Sequence, residues 1–425
     1  MTYVQEERSA HDGLTLHTIP TKKFKTNSLV LKMNAPIQEQ TVTMRALLPY
    51  VLQSSTKNYD TTTKLRSHLD DLYGAALYVD LAKKGDTHTL TFTIDLPNER
   101  FLKDRTPLLE KGLQLLQEVL YTPNVVNGQF HEKTVEQEKR TMKARIQAMN
   151  DDKMRYSGVR LVEEMCEGEP YALRLNGRSE DVDGITTEAL YQYYEQALAE
   201  DKMDLYVVGD IEPQEVTKLV TSIFSVPSRE RARLEKGEQN KREEVKEVQE
   251  EQDVQQGKLN IGYRTDIRYG DKEYPALQLF NGIFGGFSHS KLFINVREKA
   301  SLAYYAASRL ESHKGLVLVM TGIDQKNYDQ AVQIVNEQMQ AMQTGDFTDD
   351  MVEQTKAVLK NQLLETIDTQ RGVIEALYHS EIAETKQTLE QWIDAIQAVS
   401  KEEVQAVGER INLDTIYFLK GEETA

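Results

Sequence analysis

The stretch Gly282-Ile283-Phe284-Gly285-Gly286-Phe287-Ser288-His289-Ser290-Lys291-Leu292-Phe293, continuing through Val296-Arg297-Glu298-Lys299 to Leu302-Ala303-Tyr304-Tyr305, sets the reading of this chain. Pro275–Phe284 has helical spacing, and Lys291–Lys299 reads as a second helix. Beyond them, Tyr304–Leu310 and Leu316–Ile323 form a strand pair about a Lys314-Gly315 turn. The glycine cluster fits a helix C-cap followed by a turn. It also fits a backbone that lets a ligand or extended peptide approach closely. Spacing alone favours the cap. Arg297 ends a helix and Tyr304 begins a strand, so a planar donor fork and a phenol can converge on one site. Such a pair suits polarising a peptide carbonyl or holding an oxyanion. The plainer reading is a helix-end arginine favoured by the macrodipole, beside an ordinary strand tyrosine.

The same grammar occurs earlier in the chain. Leu14–Ile19 and Ser28–Met33 read as strands, and a helix follows over Thr43–Gln53, with another starting near Thr61–Thr63. Strands Ala75–Ala82 and Thr87–Asp95 then flank the turn Lys84-Gly85-Asp86. Helices over Phe101–Val119 and Thr134–Met149 precede a short buried strand, Leu205–Gly209. In the second half, Leu259–Arg264 is a strand, and Asn327–Gln343 and Asp349–Thr366 are helices. Leu72-Tyr73 opens a strand pair ending 23 residues on at Asp95, and Leu302-Ala303-Tyr304 opens one ending 22 residues on at Asp324. Phe130 with Val135, and Phe347 with Val352, share a five-residue interval after each. This is an internal repeat. The expected fold is α+β: two homologous α/β-sandwich domains, each a mostly antiparallel sheet with helices on one face. Between them, Arg229–Asp253 holds 7 basic and 9 acidic residues in 25, too charged to bury a face, and reads as a solvated linker or charged surface helix. The expected domains are 1–228 and 258–425, joined by a charged linker over 229–257.

Composition narrows the function. The 425 residues carry 51 basic and 68 acidic side chains, a formal net charge of −17. That excess argues against nucleic acid, which demands concentrated Lys and Arg, and against an anionic membrane surface. One cysteine, Cys166, leaves no disulfide framework and no multi-cysteine zinc site. With Glu163 and Glu164 close by, its thiolate is disfavoured, and a packed thiol is the expectation. Met1–Asp12 lacks an apolar signal-peptide region, and no apolar run reaches the ~18–20 residues of a membrane span. A cytoplasmic protein is expected. No two of the eight histidines lie four apart, so neither order of a two-histidine zinc helix is present. Phosphate-cradling glycine motifs are absent too.

The run Phe284–Phe293 through Val296-Arg297-Glu298-Lys299 to Leu302-Ala303-Tyr304 resembles the C-terminal signature of the pitrilysin/insulinase-like zinc peptidases. The resemblance is closest to their short two-domain bacterial branch, related to mitochondrial processing peptidase. Leu205-Tyr206-Val207-Val208-Gly209-Asp210 is similar to the strand closing that branch's first domain, and Leu259–Arg264 to the one opening its second. Active members carry His-x-x-Glu-His on the first long helix. Here Arg45, Leu48 and Pro49 stand at those three positions. A further glutamate ligand is implied near Lys143-Ala144-Arg145-Ile146, where Ala144 or Arg145 stands instead. Arginine offers no acceptor, and without ligands there is no metal-activated water.

What is kept is the other side of the family's site. The resemblance implies that Arg297 and Tyr304 assist catalysis by facing zinc across a cavity and holding the scissile carbonyl. It implies that Gly285, Gly286 and Ser288 bind substrate. This chain would then be a non-catalytic, metal-less subunit that needs no cofactor of its own, with zinc in the partner. The implied partners are a zinc-motif-bearing sister subunit in a heterodimer and a peptide substrate. Without its sister, the same surface would serve a homodimer. The alternative is an inert peptide-binding or scaffold protein, with a link to elongation factor P modification.

Overall fold

Alternate residues of strand Thr26–Pro36 face opposite ways. Leu29, Leu31 and Met33 enter an apolar core, whereas Ser28, Val30 and Lys32 line the reverse of the sheet. This computed structural model describes residues 3–11, 13–224, 237, 239–240 and 242–421. Their packing yields two units. The first comprises Met1–Gln147, Leu173–Glu235 and Ile367–Glu375; the second comprises Ala148–Ala172, Lys236–Thr366 and Ala376–Ala425.

The first unit's six-stranded sheet runs Glu7–His11, Leu14–Pro20, Lys202–Gly209, Thr26–Pro36, Thr87–Pro97, Ala76–Lys84. Only Leu14–Pro20 and Lys202–Gly209 pair in parallel. Helices Val42–Ser54 and Leu108–Tyr121 cover the apolar face, burying Leu47, Leu48, Leu113 and Leu116 against Leu90, Phe92 and Ile94. The second unit's sheet runs Ala303–Glu311, Leu316–Ile323, Gly257–Arg264, Asn412–Gly421, Lys246–Gln252. Its only parallel pair is likewise Asn412–Gly421 with Lys246–Gln252. Hairpin, central strand, closing strand and parallel neighbour recur in one order, so the duplicated α+β unit is present as read.

Three differences from the sequence reading have physical causes. The helix expected from Phe101 starts at Leu108, because Pro107 disfavours a helical residue before it. Of the charged stretch, 229–236, 238 and 241 lie outside the described residues. Its later part is neither linker nor helix: Lys246–Gln252 is an edge strand, alternating half-buried and exposed. Its inward Glu250 accepts hydrogen bonds from Tyr156 (2.6 Å) and Tyr417 (2.7 Å), which makes a charged sequence fit a strand. Third, helices are not confined to one face. Lys153–Met165 packs on the reverse of the second sheet, where Leu161, Val162 and Met165 join Leu316, Leu318, Tyr417 and Leu419. A Cβ at Gly262 would sit 2.6 Å from Met165 Sδ, so glycine lets the methionine lie against the strand in this position. Cys166 is buried in the same cluster. Among the described residues, no helix is long and apolar enough to cross a membrane.

Candidate functional site

Arg297 and Tyr304 meet because of how the chain is turned between them. Val296 is fully buried and anchors the π-helical stretch Phe293–Lys299. Arg297, one residue on, lays its guanidinium over the Phe293 ring (4.6 Å to the centroid) and near the Tyr304 ring (5.6 Å). The amide N–H groups of Ala300 and Leu302 donate back to Asn295 and Val296. Ser301 turns the chain at φ 51, in the left-handed region, a conformation that usually needs an overriding constraint. The hairpin register then shifts between Ala303 and Ala306, inserting one residue, and the Thr321 hydroxyl donates to the Tyr305 carbonyl at 2.8 Å. Such a bulge re-aims side chains. Tyr304 is left 81% exposed. Among the described residues, neither the Tyr304 phenol nor the Arg297 guanidinium has a hydrogen-bond or ion-pair partner.

The glycine cluster is not a C-cap. Helix Tyr274–Asn281 continues without a break into π-helical Gly282–Gly286, because Gly282 keeps helical dihedrals. Gly285 is buried, and a Cβ there would lie 2.6 Å from Ser308 Oγ and 2.7 Å from Ser308 N. Helix and strand Ala303–Glu311 therefore touch through this glycine, which gives it a packing reason. Gly286 and Ser288 are exposed. Ser290, fully buried, accepts at 3.3 Å from the Phe293 amide and starts the next helical stretch.

The positions of the zinc motif are occupied by a different machine. Arg45 is 1% exposed and ion-paired to Asp201 at 2.7 Å. It also donates to Tyr193 Oη and to the Met33 and His88 carbonyls. Burial opposes its charge, but Asp201 more than offsets this and raises its pKa. The guanidinium thus ties helix Val42–Ser54 to two sheet strands. Leu48 and Pro49 are buried and carry no ligating atom. Arg145 lays its guanidinium 3.7 Å from the centre of the Tyr50 ring, putting a second cation in the region. Ala144 is exposed. These positions do not fit a zinc ion. Among the described residues, no three or more His, Cys, Asp or Glu side chains are grouped to hold a metal.

Two histidines show how this unit uses its imidazoles. His88, deep beside Arg45, is pushed down to about 3 by burial and by that charge. His17 is opposite: burial lowers its pKa, but Asp204 and Glu6, at 3.4 and 2.7 Å, raise it on balance. Sequence reasoning missed the Arg45 lock. Its partner Asp201 lies 156 residues away, and only the apolar neighbours Ala46, Leu47 and Leu48 hinted that Arg45 is inside.

Residues 184–359 match the family model described as "Peptidase M16 inactive domain". The chain is 55% identical over its full length to the "probable inactive metalloprotease YmfF" of Bacillus subtilis (strain 168), covering 100% of both. It is 22% identical to that bacterium's "uncharacterized zinc protease YmxG", across 55% of this chain and 57% of the relative. A crystal structure of a conserved protein from Enterococcus faecalis V583 superposes with a TM-score of 0.92, at 36% identity, over 99% of each chain. The duplicated architecture and full-length identity make this chain a member of the peptidase M16 family.

Proposed function

We propose that this chain is the non-catalytic subunit of a two-subunit zinc peptidase. It binds peptide and offers Arg297 and Tyr304 in trans to the zinc site of a sister subunit. The observation that carries this reading is an asymmetry of use. At the metal positions, Arg45 is locked into the fold by four internal partners. At the opposite part of the family's apparatus, Arg297 and Tyr304 converge with their polar atoms unengaged. A guanidinium and a phenol held together are suited to a peptide carbonyl whose oxygen gains charge. The coexistence of YmfF and a zinc-protease relative in one bacterium gives the scheme a second half. Exposed Gly286 and Ser288 would contact the peptide, while Gly285 shapes the backbone behind them.

The test is reconstitution. The chain alone cleaves no peptide; mixed with a zinc-motif relative from the same cell, it confers turnover. Arg297→Ala then lowers kcat/KM of the mixture by about 100-fold, and Tyr304→Phe by about 10-fold. Unchanged kcat/KM in both variants would end the complementation reading. If peptide still bound without turnover in any mixture, an inert peptide-binding or scaffold role would replace it.

A further inference from the structure

The reverse of the first unit's sheet holds a cavity of about 220 Å³. The fold does not impose it, because the same face of the second sheet is filled by Leu161, Met165, Leu318 and Tyr417. Two ion pairs line it. Lys32 Nζ meets Glu375 Oε1 at 2.7 Å, and Arg371 Nη2 meets Asp80 Oδ2 at 3.1 Å. Lys84 approaches Glu375 at 3.6 Å. The Lys32 side chain is only 3% exposed. Burial lowers its pKa, and the like charges of Lys84 and Arg371 add to that against the pull of Glu375. Tyr78 and Ser28 both donate to Asp95, so that carboxylate faces hydroxyls. Thr91 and Thr93 bring further hydroxyls to the lining, while Val30, Ala82 and Ile374 give it an apolar side.

This lining selects by charge. A simple anion would meet Asp80 and Glu375, and a simple cation would meet Lys32 and Arg371. A molecule carrying one charge of each sign meets a partner for both. The volume equals about seven waters at ~30 Å³ each, the size of an amino acid or dipeptide and far below a folded peptide. We propose that this cavity binds a small zwitterion, a free amino acid or dipeptide with an apolar side chain. Its carboxylate lies toward Lys32 and Arg371, its ammonium toward Asp80 and Glu375, and its side chain on Val30, Ala82 and Ile374. The site is independent of the complementation reading, since Arg297 and Tyr304 belong to the other unit.

Calorimetric titration of the full chain tests it, with L-leucine, L-alanyl-L-leucine, N-acetyl-L-leucine and L-leucinamide as probes. At least one of the two zwitterions binds with a Kd of about 1 mM or tighter, and the stronger one identifies amino acid or dipeptide. Blocking either charged end weakens binding by about 10-fold or more. Ala82→Leu fills the cavity from the sheet side without touching an ion pair, and abolishes binding with the circular dichroism spectrum unchanged. Arg371→Gln, at a largely exposed residue, weakens binding about 10-fold while the fold stays intact. Absence of binding by both zwitterions, equal binding of blocked and free forms, or full binding by folded Ala82→Leu would each overturn the proposal.

Discussion

The two sheets are built alike and closed on their reverse faces by opposite chemistry. In the second unit, Lys153–Met165 seals the face with aliphatic side chains, and Arg264 fixes the helix end through the Met165 carbonyl, Glu169 and Asp414. In the first, Ile367–Glu375 lies across the face as a strap; it buries Ile367, Val373 and Ile374 but is tied down largely by polar contacts. Gln370 donates to the Thr26 and Val208 carbonyls, Arg371 pairs with Asp80, and Glu375 reaches Lys32. A buried aliphatic side chain contributes roughly 1.5–3 kcal/mol, whereas an exposed ion pair such as Arg371–Asp80 contributes about 0–1. One architecture thus carries a cemented face and a more loosely tied one, and the loosely tied face holds a cavity. The duplication supplies a scaffold; side chains decide which copy stays open.

The largest expected effect tests the cement. Leu161→Ala should destabilise the protein by about 2–5 kcal/mol, because it opens a void among Leu316, Leu318 and Tyr417. Ile374→Ala, on the strap, should fall at the lower end of that range, about 2 kcal/mol, since that side chain, though buried, already borders a cavity. Urea unfolding measures both, and amide exchange in Leu316–Ile323 and Thr87–Pro97 locates the damage. Equal costs would erase the distinction between the faces.

How far this was legible from sequence differs between local and distant features. Strand Thr26–Pro36 and helix Val42–Ser54 announce themselves by period, and the repeat by two similar hairpins. The loss of ligands at Arg45, Leu48 and Pro49 needs only the residues themselves. What Arg45 does instead was hidden, because a buried guanidinium is explained by Asp201, Tyr193 and two carbonyls that sequence does not bring together. Helix Lys153–Met165 went unread, and period can show only that a face is buried, not which sheet buries it. Strand Lys246–Gln252 was hidden for another reason. Its charges are those of an edge strand stabilised by hydrogen bonds to Glu250, and composition alone makes them look like linker.

An intermediate effect tests the strap through pH. Burial lowers the Lys32 pKa from 10.5 despite Glu375. Glu375 is partly buried, which alone would raise its pKa, yet Lys32 and Lys84 bring it below 4.5. A lowered folded-state pKa contributes stability that is present above the unfolded pKa and lost as pH falls through the folded one. Glu375 therefore stabilises above about pH 4.5 and ceases to do so in acid. Glu375→Gln leaves Lys32 charged without its carboxylate and should cost about 1–2 kcal/mol near pH 7, discounted because Glu375 is a third exposed. In the variant the Lys32 pKa drops further. The deficit should then shrink as pH rises through 10.5 and the lysine loses its charge, and also in acid, where Glu375 is protonated. A deficit that stayed flat with pH would show that the strap is held by packing instead.

The smallest expected effect concerns the sheets' equivalent parallel strands. In the first unit, Leu14–Pro20 is buried and covered by Glu7–His11. In the second, Lys246–Gln252 is the edge itself, exposing Glu247 and Glu251. Glu251 pairs with Lys420 at 2.9 Å, but with Glu251 56% exposed the pair is worth little. Glu251→Ala should therefore shift stability by under about 0.5 kcal/mol. If the edge charges serve instead to keep the strand's outer backbone N–H and C=O groups from templating another strand, their effect is on association. Replacing both Glu247 and Glu251 by valine should leave the melting temperature nearly unchanged and produce concentration-dependent self-association in sedimentation velocity. An unchanged sedimentation profile would mean that the uncovered edge needs no charge to protect it, and that the extra strand Glu7–His11 in the first unit has a purely structural reason.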